Sequence, residues 1–110
     1  MPTVIIANPV NEKQSGRLTV SHYDTAGALT VPSTIRYRID DPDARQQVRD
    51  WTTVTPASSY TIILTRTDNT MIDATKGKER RKVTVEAVYS SDEADPSDCV
   101  YEISKLQFYP

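Results

Sequence analysis

A chain of 110 residues is one domain of ordinary size, with room for a single two-layer core and not for two independent ones. Its 13 basic and 15 acidic residues are mixed along the sequence and leave a net charge of −2, too weak a field to argue for nucleic acid or an anionic membrane as partner. The single cysteine, Cys99, excludes an internal disulfide and any multi-cysteine metal site, and fits a reducing compartment.

Thr, Val and Ile supply 32 of the 110 residues while Leu supplies four, a bias toward side chains that crowd a helix and pack well on a pleated sheet. In chain order, the amino terminus from Met1 to Pro9 has no basic start and only a short apolar run. It predicts a first strand near 3–7 and neither a signal peptide nor an anchor, hence a protein made and kept in a cytoplasm. Leu18 and Val20 alternate with Arg17, Thr19 and Ser21, predicting a strand near 17–24; Ile35, Tyr37 and Ile39 do the same near 33–40. Asp41-Pro42-Asp43 is a turn, followed by a strand near 46–53 that contains Trp51. After Thr55-Pro56, Tyr60, Ile62 and Leu64 alternate with polar neighbours near 58–66. Only 68–79 leaves room for a helical turn. Val83, Val85, Ala87 and Tyr89 then mark the strongest strand, near 80–90, and after an expected turn at Asp95-Pro96 a last strand falls near 99–108. The fold class is therefore all-β: an antiparallel sandwich of about seven strands in a single domain over 1–110, with Tyr37, Tyr60 and Tyr89 read as core.

No catalytic, cofactor or metal site is expected. His22 is the only histidine, and a Cys99–His22 nucleophile pair has no oxyanion signature beside it. The acidic groups Asp40, Asp41 and Asp43, and then Asp92, Glu93, Asp95 and Asp98, do not follow EF-hand spacing and read as solvated hairpin loops. Lys76, Lys78, Arg80, Arg81 and Lys82 form one basic cluster without the stacking aromatics or glycine-rich loop of a nucleic-acid or phosphate site. Arg80 and Arg81 are candidate contacts to an acidic partner surface. Phe108 and Tyr109 are the other two candidate partner contacts, because two aromatics stand at a chain end that ordinarily frays. Open sheet edges also allow strand addition or self-association, with Arg36, Arg38 and the charges of the 46–53 strand as candidate guards.

The order and spacing resemble a fibronectin type III or immunoglobulin-like sandwich, with 17–22 similar to strand B, 35–39 to C, 48–51 to C′, 59–64 to E, 82–89 to F and 100–103 to G. His22 stands where the fibronectin family has a core tryptophan, and Arg81 where its strand F has a corner tyrosine. Thr19-Val20-Ser21-His22-Tyr23-Asp24, Arg49-Asp50-Trp51 and Glu79-Arg80-Arg81 further resemble small immunoglobulin-like proteins of tailed bacteriophages and prophages. That resemblance implies a non-enzymatic virion component. The expected role is a head-decorating or head-stabilising protein docked on the major capsid protein, or else an accessory of the connector or tail. A binding module for protein or glycan is the alternative.

Overall fold

A computed structural model describes residues 3–73 and 75–106. It is all-β. Eight strands are present among those residues: β1 (Thr3–Ala7), β2 (Val10–Asn11), β3 (Gly16–His22), β4 (Thr34–Asp41), β5 (Gln46–Val54), β6 (Ser59–Leu64), β7 (Lys78–Ser90) and β8 (Glu93–Ser104). They form a three-stranded sheet in the order β1-β3-β6 and a five-stranded sheet in the order β2-β8-β7-β4-β5. All pairs are antiparallel except the short contact of β2 with the end of β8. This is the strand order of an immunoglobulin-like sandwich in which no strand flanks β6 on its outer side.

The alternation seen in the sequence is what joins the layers. Leu18, Val20, Ile62 and Leu64 from the small sheet meet Ile35, Tyr37, Ile39, Val83, Val85, Tyr101 and Ile103 from the large one in a single buried cluster. Odd-numbered residues of β7 from Glu79 to Ala87 turn inward, so Glu79 and Arg81 are carried into the interior by the same period that buries Val83, Val85 and Ala87.

Several boundaries differ from the predicted ones. β8 begins at Glu93, so Asp95-Pro96 is strand and not turn; the true turn is at Ser91-Asp92. Proline is compatible with this because β8 has no neighbour on its outer side along that stretch, β2 pairing only with Ile103 and Ser104. The acidic residues Glu93, Asp95 and Asp98 therefore stand on a strand and not in a loop. The two-residue β2 was not expected, being too short to show a period. Residues 68–73 and 75–77 form turns and bends without a helix: the Glu79 carboxylate accepts from the backbone N–H of Ile72 and Asp73 (2.8 and 2.7 Å), which holds the 70–73 segment open.

Candidate functional site

The buried ionic cluster is the first feature built by the strand phase. Arg81 is fully buried, and its five N–H donors all find acceptors. Nη1 donates to Asp41 Oδ2 (3.0 Å) and the Arg80 carbonyl (3.1 Å), Nη2 to Glu79 Oε1 (3.0 Å) and the Thr70 carbonyl (2.9 Å), and Nε to the Asp68 carbonyl (3.3 Å). Burial pushes the Glu79 carboxyl up, but the Ile72 and Asp73 amides and the Arg81 guanidinium outweigh it and hold the group below its ordinary value. Asp68, also buried, accepts from Arg49 in a bidentate pair and from the Thr65 N–H and hydroxyl. Asn69 accepts from the Tyr101 hydroxyl at 2.8 Å. Together these bonds tie the 65–73 segment and the β4–β5 turn to the end of the sandwich. Arg81, expected as a partner contact, is thus a core ion pair with no exposed atom to offer a partner.

Of the rest of the basic cluster, Lys78, Arg80 and Lys82 lie on the outer face of the large sheet beside acids, and Lys76 precedes β7 in the bend before it. Arg80 is half-exposed and makes a bidentate pair with Asp43 (2.6 and 3.1 Å), Lys82 faces Asp98 (3.4 Å), and Lys78 faces Glu102 (3.8 Å). The two lysine pairs are diagonal cross-strand neighbours and Asp43 reaches Arg80 from the β4–β5 turn, all on a solvated face, so these pairs cancel most of the charge that a docking patch would need. Phe108 and Tyr109 lie outside the described residues. Arg36 and Arg38 stand on β4, one strand in from the edge, with their guanidinium carbons 4.0 and 5.7 Å from the centre of the Trp51 ring.

His22 links four strands. Thr3 Oγ1 donates to Asp95 Oδ2 at 2.5 Å, so it must accept from His22 Nδ1 at 3.0 Å; the ring is then the Nδ1–H tautomer, and Nε2 accepts from the Tyr60 hydroxyl at 2.9 Å. Both ring nitrogens are used, and neither bonds to Cys99. The Cys99 thiol is pushed up by burial and by the Asp98 charge, the opposite of what a nucleophile needs. Burial holds the His22 ring below its ordinary value against the pull of Asp95. Its folded pKa being lower than its unfolded one, the stabilising effect is complete above about pH 6.5 and is lost as pH falls from there toward the folded value. Thermal melts from pH 7.5 to 5 should show the midpoint falling below pH 6.5, and His22→Gln should flatten that slope; an unchanged slope would assign it to other groups.

Cavities are shallow. One of about 440 Å³ opens beside the β7–β8 turn, lined by Thr25, Tyr89, Asp92, Glu93, Ala94 and Asp95. Among the described residues no group of three or more His, Cys, Asp or Glu side chains is placed to hold a metal ion.

The sheet edges are less alike than the faces. β5 is broken by two register shifts against β4 and carries Arg49 and Asp50. β8 carries Pro96 and four acids, and β1 is tied to β8 through Thr3 and Asp95. These are devices that blunt an edge. β6 has none of them: Ser59-Tyr60-Thr61-Ile62-Ile63-Leu64 contains no charge, proline, glycine or bulge. The bond from the His22 N–H to the Ser58 carbonyl (2.8 Å) sets the phase of the β3–β6 ladder, so Tyr60, Ile62 and Leu64 bond to β3. Ser59, Thr61 and Ile63 aim their N–H and C=O groups away from β3. In agreement, the Ile63 carbonyl is reached from β5 by Arg49 Nη2, at a long 3.4 Å. Exposed Ile63 (51%), with Val4 (46%) and Ile6 (59%) on β1, gives the outer face of this sheet an apolar character interrupted by Thr19, Ser21 and Thr61 and by Arg17, which stands directly across from Ile63 on β3. The alternation of the 58–66 segment was legible, but its edge position was not, because sheet order is set by distant pairings.

No family model matches the chain, and no curated protein shows significant similarity to it. Its fold is similar to that of the periplasmic chaperone SfaE, with a TM-score of 0.64 at 14% identity, over 99% of this chain and 60% of the chaperone's. The chain thus spans about three fifths of the length of that solved structure. The match supports an immunoglobulin-like β-sandwich, and it corrects the expected function. The likeness found is to a chaperone and not to a phage component, so the head-decorating, connector or tail role is set aside. Shell proteins and chaperones can share one sandwich architecture, and a lone sandwich without a visible site does not discriminate between them.

Proposed function

We propose that this chain is a non-enzymatic protein-binding module of chaperone type, which holds an extended segment of a client polypeptide as an added strand along β6. The observation that carries this reading is the unguarded edge at Ser59, Thr61 and Ile63, where backbone groups unused by β3 lie beside exposed uncharged side chains. Strand addition draws affinity from main-chain hydrogen bonds and specificity from alternate side chains, so it needs no pocket. The fold likeness to a periplasmic chaperone agrees with such a role.

The test uses a proline that blocks the edge without breaking the ladder. The Thr61 N–H points away from β3, so Thr61→Pro removes an edge donor at a position where proline is tolerated. The protein is expected to suppress heat aggregation of citrate synthase at near-equimolar ratio. Thr61→Pro should need about tenfold more protein or worse for the same effect, at an unchanged far-ultraviolet spectrum. Equal suppression by the two proteins, or none by either, would remove the reading.

A further inference from the structure

We infer that, when no client is bound, the β6 edges of two copies of this chain pair with each other, antiparallel about a two-fold axis at Thr61. The inference rests on the reading of β6 as a strand-accepting edge and names its occupant in the free protein.

The geometry is self-complementary. Three residues, Ser59, Thr61 and Ile63, aim their backbone groups outward, and a two-fold axis at Thr61 is the placement that pairs all three. In that register Thr61 faces Thr61 of the second copy, and Ser59 faces its Ile63, each as a hydrogen-bonded pair. Charge permits it. From Thr52 to Thr65 the chain has no ionisable group except the Tyr60 hydroxyl, which is engaged by His22, and Arg49, which reaches the edge at Ile63 from β5, is neutralised by Asp68 and lies two residues from the axis. The side chains fit as well: a Thr–Thr pair sits on the axis, and each exposed Ile63 gains the partner's Ser59 as its cross-strand neighbour. The Ile63 carbonyl has a second lone pair and only a long bond to Arg49 to give up. Two three-stranded sheets then become one of six strands, and the uncharged edge is removed from contact with other chains. β5 and β8 do not offer this, and β1 is held against β8 by the Thr3–Asp95 bond. β5 is bulged and charged, and β8 apposed to itself would bring its acids together.

The contact is small, so the working concentration is on the order of 100 µM, as befits the weak end of interface sizes. At that concentration sedimentation equilibrium should give twice the chain mass for the protein and the single mass for Thr61→Pro. In a Cys99→Ser background, Thr61→Cys should cross-link on oxidation, because paired Cα atoms at such a position are about 5.5 Å apart. Ile63→Cys, staggered from its own copy, and Thr19→Cys, one strand in from the edge, should not. A monomeric protein, a dimer that survives Thr61→Pro, or cross-linking at Thr19→Cys in place of Thr61→Cys would overturn the proposal. The two readings separate cleanly. A monomer whose aggregation suppression is still sensitive to Thr61→Pro sinks self-pairing and leaves client holding. A cross-linked Thr61→Cys dimer that suppresses aggregation as well as its reduced form sinks client holding and leaves self-pairing.

Discussion

Arg81→Ala is expected to cost about 3–5 kcal/mol, a large fraction of the roughly 5–15 kcal/mol that holds an ordinary domain folded. The cost does not come from the attraction lost. It comes from Asp41 and Glu79, which stay behind with carboxylate oxygens buried and the guanidinium gone, and from the Thr70 and Asp68 carbonyls that lose their donors. Arg81→Lys should recover only part of the loss, because three donors on a flexible stem cannot replace a fork that reaches five acceptors. Urea titration checks this: the midpoint should fall sharply for Ala and by less for Lys. A midpoint within error of the parent protein for Arg81→Ala would show that the cluster is solvated.

Ile62 and Ile63 are neighbours with identical side chains and opposite fates. Ile62 is 3% exposed and packs between the sheets, so Ile62→Ala removes buried methylenes and leaves a cavity, at about 2–5 kcal/mol. Ile63 is 51% exposed on the outer face, and Ile63→Ala should change the stability of the monomer by no more than about 0.5 kcal/mol. Both are measured by urea unfolding at low protein concentration, where self-pairing does not contribute. Equal effects would mean that β6 sits one residue out of the phase described, and the outward groups of Thr61 would then belong to β3.

That contrast also shows what a one-dimensional reading can reach. Leu18, Val20, Ile35, Tyr37, Ile39, Ile62, Leu64, Val83, Val85 and Ala87 were all legible as inward-facing, because a period of two is a local property and burial follows it directly. Arg81 was misplaced for a reason that could have been caught. Composition put it in a basic cluster, yet its phase with Val83 and Val85 put it inside, and Glu79 on the same phase supplied the counter-charge. The first half of β8 was lost to Asp95-Pro96, since a proline that ends a central strand is acceptable on an edge. The open flank of β6 depends on which strands neighbour it, and no spacing within Ser59–Leu64 encodes that.

The inward pair Glu79 and Arg81 bears on how β7 finds its place between β4 and β8. A slip of one residue would turn Val83, Val85 and Ala87 to solvent and drive Arg80 and Lys82 into the interior. Glu79 would turn outward with the valines, so the cations driven inside would face Asp41 without the second carboxylate that completes the native cluster. An aliphatic strand edge of Val and Ala alone would punish that error by exposure; here it is also punished by stranded charge. The native register of the large sheet is thereby favoured twice over, by what it buries and by what it pairs.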